Sequence, residues 1–145
     1  MDLEKLKKDY EEVKDISMKV FDTDINPIRC HEMAYLISQG LKQKGYPTEI
    51  QDGYFQDRME HSWVRINDGK SWGFNKYVFV HVFFNPYSFI SSKPIYTSKI
   101  VTDRKLQRRQ FKKTKIQYEL AEGSEDLATR LFPASKEYST SNHNN

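Results

Sequence analysis

The sequence predicts an α+β fold in which N-terminal helices pack on an antiparallel β-sheet. Up to about residue 44, apolar residues recur at three- and four-residue spacing, which is typical of amphipathic helices. After Pro47 the spacing changes to two, which is typical of half-buried strands. These strands follow one another directly instead of alternating with helices, and this order favours an antiparallel sheet over a parallel one.

Two helices are predicted at the N-terminal end. The first covers residues 2–21, and its apolar face carries Leu3, Leu6, Tyr10, Val13, Ile16 or Ser17, and Val20. The second covers about residues 28–44, because Pro27 suits the start of a helix and Gly45 suits its end. Its core stripe is predicted to be Cys30, Ala34, Ile37 and Leu41.

Three strands are predicted next, at 48–54, 61–66 and 71–84. Asn67-Asp68-Gly69 is interpreted as a three-residue hairpin loop, because glycine adopts the left-handed conformation that such a loop needs. That loop would place His61 opposite Asn75, whereas a two-residue loop would place Lys76 there. A further strand is predicted at 115–121 and a short helix from Ser124, while the segment 99–114 fits either a basic helix or an edge strand.

The length of 145 residues and the single cysteine indicate one domain, over residues 1–134, followed by a disordered polar tail at 135–145. One cysteine excludes an internal disulfide, so a secreted disulfide scaffold is excluded. No run of about 18 apolar residues is present. The N-terminus is charged throughout, unlike a signal peptide. We therefore expect a cytoplasmic protein with no membrane partner.

Cys30 is the first candidate for chemistry, since it lies in the first turn of a predicted helix. The helix dipole and the unpaired N–H groups there stabilise a thiolate, which is the nucleophilic form of cysteine. The alternative is a small core residue, because Cys30 also falls on the apolar stripe. His61 opens a strand and is either a base or a buried structural histidine.

The pattern around these residues resembles the transglutaminase-like proteins of the papain-like cysteine enzyme superfamily. The matching pieces span about residues 27–86 and are Cys30 with Ala34, Leu41 with Gly45, His61-Ser62-Trp63-Val64, and Asp68-Gly69 with Trp72. The resemblance implies a helix whose N-terminus packs on an antiparallel sheet that carries the other catalytic residues. Where the family has an acidic residue after the tryptophan this chain has Lys76, so a catalytically silent homologue is a second possibility.

The predicted enzyme is a cysteine hydrolase or acyltransferase: a peptide or amide hydrolase, or a glutamine-type transferase or deamidase. Cys30 attacks an amide carbonyl to form a thioester, His61 carries the proton to the leaving amine, and Asn75 orients the imidazole, with Asn85 as the alternative. The backbone N–H of Cys30 and the side chain of Asn26 are candidates for the oxyanion site. Arg29 and Trp63 are predicted to bind a protein or peptide substrate.

A basic segment at 99–115 supports a different function. It contains eight Lys or Arg residues and one acid, Asp103. Arg104, Arg108 and Lys112 would share one face of a helix and could bind an acidic partner or nucleic acid, although charged runs often form only a solvated surface. Cys30, His31, His61 and His81 show no paired metal-ligand spacing, so we predict no metal and no cofactor.

Overall fold

The computed structural model describes residues 1–20, 30–85, 95–116 and 124–133, with only the backbone described at Val20, Phe84, Asn85, Ile95, Tyr96 and Ser124. Within these ranges the chain forms helices and strands in the order α1 (Leu3–Val20), α2 (Cys30–Gln43), β1 (Thr48–Phe55), β2 (Met59–Ser71), β3 (Phe74–Asn85), β4 (Ile95–Val101), α3 (Arg104–Gln110), β5 (Phe111–Lys113) and α4 (Ser124–Leu131).

The five strands form one sheet in the order β4-β3-β2-β1-β5, and every neighbouring pair is antiparallel. This confirms the predicted α+β class. Alternate side chains of a strand point to opposite faces of a sheet, and here the even-numbered residues of β2 and β3 face α1, α2 and α4. The main core on this helical face includes Val64, Ile66, Val78, Val80 and Val82. None of the described helices is long and apolar enough to cross a membrane.

The odd-numbered residues of the same strands form a second core on the opposite face. Trp63, Phe79, Val101 and Phe111 are its buried members, and Leu106 of α3 packs against them. We call this the aromatic face. The sheet is therefore covered on both sides, which explains why four consecutive residues of β2, His61 to Val64, are all buried.

The helical stripes largely follow the sequence pattern. Leu6, Tyr10, Val13 and Ser17 of α1 are buried, and so are Ala34, Ile37 and Leu41 of α2. Two residues that were predicted to be buried, one at the start of each helix, are not: Leu3 is exposed and Cys30 is only half-buried. In α2 the buried face instead begins with His31 and Met33.

The predicted hairpin loop at Asn67-Asp68-Gly69 is wrong. Strand β2 continues through these residues, and the register shifts between Asn67 and Lys70, so that they form a bulge. Gly69 has φ +90° and donates its N–H to Asn67 Oδ1 at 2.8 Å. A glycine in the left-handed region suits a bulge as well as a loop. The chain instead reverses at Trp72-Gly73, between the paired residues Ser71 and Phe74.

This shift changes the register on which the predicted site depended. Val64 pairs with Val80 and not with Trp72, while Asn75 pairs with Lys70 near the turn. His61 is stacked on Phe83, with ring centroids 4.6 Å apart. The predicted pairing of His61 with Asn75 is therefore wrong, and so is its alternative with Lys76.

The basic segment contains both kinds of secondary structure. Asp103 caps α3 by accepting the N–H groups of Lys105 and Leu106, and the helix ends at Gln110. Lys112 consequently lies on β5, so the predicted helical face shared with Arg104 and Arg108 is wrong. Residues 114–116 are not a strand, residues 117–121 lie outside the described residues, and α4 confirms the predicted short helix. The predicted tail at 135–145 also lies outside them.

The turn residue Trp72 offers a test of this hairpin. Trp72 has φ 55° and Gly73 φ 79°, which is the geometry of a two-residue turn that favours Asn-Gly. The left-handed conformation costs an L-residue roughly 1–2 kcal/mol, and asparagine tolerates it better than tryptophan does. We expect Trp72→Asn to raise the free energy of unfolding by about 1 kcal/mol in urea denaturation.

Ser71→Asn is the matched control, because Ser71 is an exposed neighbour on β2 without a positive φ. This variant should leave the free energy of unfolding unchanged or lower it slightly. A Trp72→Asn protein less stable than the wild type would contradict the turn geometry.

Candidate functional site

His61 lies on the aromatic face and is fully buried. Its ring stacks on Phe83 and lies 5.7 Å from the ring of Trp63 and 6.0 Å from that of Phe111, measured between centroids. Since β2 alternates its side chains, Ser62 and Val64 face the helices while His61 and Trp63 point away from them. The imidazole is thus part of an aromatic core.

A chain of hydrogen bonds leads from His61 to α3. Its Nε2 lies 3.0 Å from Nδ1 of His81, and Nε2 of His81 lies 2.9 Å from Oε1 of Gln107. The amide oxygen of Gln107 only accepts, so His81 carries its proton on Nε2 and accepts the Nε2–H of His61 on Nδ1. Nδ1 of His61 is then unprotonated, and it has no hydrogen-bond partner among the described residues.

Burial keeps both histidines neutral. It lowers the pKa of His61 to about 4 and that of His81 to about 3. A general base works best with a pKa near the operating pH and within reach of its substrate. His61 and His81 meet neither condition, and their arrangement is that of structural histidines in an aromatic core.

Cys30 belongs to the other layer of the protein. It is the first residue of α2, half-buried, and α2 packs on the helical face of the sheet. The structure does not bring its thiol together with the imidazole of His61, because the sheet lies between the two layers. This corrects the expected Cys30–His61 contact. That expectation followed from the order of the residues in the chain and did not consider which face of the sheet each side chain occupies.

The histidine that reaches the sheet from α2 is His31. Its Nδ1 lies 2.9 Å from Ser62 Oγ and 3.3 Å from Asp52 Oδ1, and Ser62 donates its hydroxyl to Asp52 at 2.7 Å. Burial lowers the pKa of His31, while the Asp52 carboxylate opposes that shift. Sequence reasoning missed this cluster, although the pairing of Asp52 with Ser62 follows from the order of the two strands.

The other predicted catalytic residues do not gather around Cys30. Asn75 is exposed at the far end of the hairpin, where its backbone carbonyl accepts a hydrogen bond from Arg104. Asn85 pairs through its backbone with Ile95, and its side chain lies outside the described residues. Asn26 and Arg29 also lie outside them. Trp63 is 1% exposed and donates to Gln51 Oε1 at 2.9 Å, so a ligand does not reach its indole N–H.

The aromatic face contains a cavity of about 520 Å³ between α3, β5 and the sheet. Its floor includes the aromatic residues Trp63, Phe79 and Phe111, and its rim is polar or cationic. The described residues that line it are Gln51, Trp63, Arg65, Phe79, Gln107, Arg108, Phe111, Lys112 and Lys113, and none of these carries a carboxylate. We call this the basic cavity.

The four cations of the basic cavity differ in their partners. Arg65 pairs with Glu49 and lies 4.3 Å above the ring of Tyr77, and Lys112 lies 3.0 Å from Asp57. Arg108 and Lys113 form no ion pair with any described residue.

Of the predicted binding residues, Trp63, Arg108 and Lys112 line the cavity, while Arg65 and Lys113 were not among those predicted. The alternation of β2 predicts Arg65 on the same face as Trp63, and that signal could have found it. Arg104, the third predicted binding residue, binds the hairpin and does not line the cavity.

No protein-family model, curated protein or solved structure matches this chain. Across the described parts of the chain, no three metal-ligating side chains come together.

The buried histidines make stability depend on pH. Both folded-state pKa values lie below the value of about 6.5 for an unfolded histidine, so the unfolded chain binds protons first as the pH falls. The two histidines contribute their full share to the free energy of unfolding above pH 6.5, and this contribution is lost as the pH falls towards 4. We expect each histidine to lower the free energy of unfolding by up to about 1.4 kcal/mol per pH unit near pH 5.

Urea denaturation at pH 7, 6 and 5 measures this slope. His81→Gln removes one of the two groups, so the slope between pH 6 and 5 should fall by about 1.4 kcal/mol per unit. An unchanged slope would show that His81 is protonated equally in the folded and unfolded states.

Proposed function

We propose that this chain is a binding domain whose basic cavity takes an anionic partner, either an acidic protein segment or nucleic acid. The observation that carries the proposal is the pair Arg108 and Lys113, two cations without a described acidic partner on the rim of a cavity to which the described residues contribute no carboxylate. In this proposal the basic segment 99–115 binds the partner, because α3 and β5 place its cations around the cavity.

The physical basis is the low polarity of the cavity floor. A charge pair at 4 Å is worth about 1 kcal/mol in water but about 4 kcal/mol at the effective dielectric of a protein surface. An anion over Trp63, Phe79 and Phe111 therefore interacts with Arg108 and Lys113 more strongly than it would on a flat, solvated surface. The guanidinium of Arg108 also offers paired donors that match a carboxylate or a phosphate.

A cysteine-dependent acyl-transfer activity is the second candidate. It is supported by the position of Cys30 as the first residue of α2, half-exposed, next to a histidine held by Ser62 and Asp52. In this version His31 replaces His61 as the histidine of the site. The resemblance to transglutaminase-like proteins motivates this candidate, and the buried position of His61 weighs against it.

Charge reversal tests the binding function. We expect a fluorescein-labelled uridine 20-mer or a glutamate 20-mer to bind, and we expect log Kd to rise linearly with the logarithm of the salt concentration. Arg108→Glu combined with Lys113→Glu should weaken binding at least tenfold and reduce the salt slope by about 2. Fluorescence anisotropy between 50 and 300 mM salt measures both, and the probe that binds identifies the class of partner.

Lys8→Glu combined with Lys19→Glu is the matched control. It makes the same change in net charge on exposed positions of α1, on the opposite side of the sheet. An equal loss of affinity in this control would attribute binding to net charge and contradict the proposed cavity. Binding of neither probe to the wild type would also contradict it.

Alkylation by iodoacetamide tests the second candidate. A helix N-terminus stabilises the thiolate, so the rate for Cys30 should reach half its maximum below the reference pKa of about 8.5. We expect His61→Ala to leave this pH profile unchanged, since His61 points into the aromatic face, and His31→Ala to slow the reaction at pH 7 several-fold. A profile centred at 8.5 or above in the wild type would remove the candidate.

A further inference from the structure

The turn between β2 and β3 carries two large apolar side chains into solvent. Trp72 is 96% exposed and Phe74 is 68% exposed, the two highest values among the exposed large hydrophobic residues. Neither belongs to a core cluster, and neither ring contacts another aromatic ring within the described residues. We call Trp72, Gly73 and Phe74 the hairpin tip.

The fold does not explain a tryptophan at this turn. Trp72 has a positive φ, a conformation that asparagine or glycine adopts at lower cost. Its ring makes no packing contact that offsets this cost, because the side chain is almost entirely exposed. Strain that is retained without a structural gain points to a function of the side chain itself.

The charged groups around the hairpin tip are mainly cations facing solvent. Lys70 and Lys76 flank it on β2 and β3, and Arg104 holds the start of α3 against the hairpin through the carbonyl of Asn75. Two acids lie nearby and both are engaged: Asp68 is 10% exposed and lies 3.0 Å from the N-terminal ammonium of Met1 and 3.7 Å from Lys76 Nζ, and Asp103 caps α3. Lys70 forms no ion pair with a described residue, whereas Lys76 shares Asp68 with Met1. The tip therefore combines apolar rings with a positive surround.

We propose that the hairpin tip inserts into the surface of an anionic lipid bilayer, an interaction separate from that of the basic cavity and opposite to the expectation of no membrane partner. Indole and phenyl rings favour the interface between headgroups and acyl chains. Lys70 and Lys76 lie two residues behind Trp72 and Phe74, a distance of roughly 7 Å along a strand. Apolar groups of peripheral proteins enter the interface to a depth of about 5–10 Å, which leaves these cations at the level of the lipid phosphates.

The shape of the tip favours a bilayer over nucleic acid. Proteins that bind single strands use a positively charged groove with stacking rings along it, whereas the hairpin tip is a convex turn with its rings at the outermost point. A bilayer is a soft surface that a convex tip can enter. The cations select anionic lipid, since each Lys or Arg near such a surface adds to the attraction.

The fluorescence of Trp72 tests this proposal directly. The chain has two tryptophans, and Trp63 is 1% exposed but lines the basic cavity. A change in emission that persists in the Arg108→Glu, Lys113→Glu variant therefore reports on Trp72. With vesicles of 70% phosphatidylcholine and 30% phosphatidylserine we expect a blue shift of the emission, and quenching when the acyl chains are brominated. Vesicles of phosphatidylcholine alone should bind at least tenfold more weakly.

Variants separate insertion from general attraction. Phe74→Ala should weaken partition into the anionic vesicles at least tenfold, measured by co-sedimentation, and Trp72→Asn should do the same while keeping the turn geometry. Lys70→Ser combined with Lys76→Ser should remove the preference for phosphatidylserine. Met59→Ala is the control, because Met59 is also an exposed apolar residue of β2 (48%) but lies at its opposite end.

Three results would overturn the proposal. The first is an emission spectrum that the anionic vesicles leave unchanged. The second is a blue shift that appears without lipid as the protein concentration rises, which would assign the tip to contact with a second copy of the chain. The third is an equal blue shift with a uridine 20-mer at the same phosphate concentration in the Arg108→Glu, Lys113→Glu variant, which would assign the tip to nucleic acid.

Discussion

The burial of β2 on both faces is the constraint on which the rest of this structure depends. His61 and Trp63 pack into the aromatic face while Ser62 and Val64 pack towards the helices. A strand in this position cannot slip by one residue, because a slip would exchange its two sets of side chains. The registers of β1 and β3, and with them the positions of the candidate site residues on these strands, follow from this strand.

Two chemically different regions result, separated by the thickness of the sheet. The helical face holds the half-exposed thiol of Cys30 and the His31 contact with Ser62 and Asp52. The aromatic face holds two neutral histidines under the basic cavity, where burial lowers their pKa values instead of tuning them for proton transfer. A site that needed Cys30 and His61 together would require both on one face, and the alternation of β2 separates them.

Local sequence patterns were sufficient to predict the structure where a residue type has one common structural role. The helical spacing in residues 3–20 and 30–43, the helix end at Gly45 and the antiparallel order of strands could all be predicted. The Asn-Asp-Gly motif was not sufficient, because a glycine with positive φ serves a bulge and a loop equally well. Only the pairing of Ser71 with Phe74 across Trp72-Gly73 decides between them, and that pairing depends on contacts distant in sequence.

The sequence by itself determined the α+β class, the helices and most of their buried stripes, since these depend on spacing between near neighbours. It also located the basic segment 99–115 and the cysteine at the start of α2. The tertiary structure alone decided which charges face one another and which histidine faces which layer. Those relations depend on strand register, and in a sheet a shift of one residue moves a side chain from one face to the other.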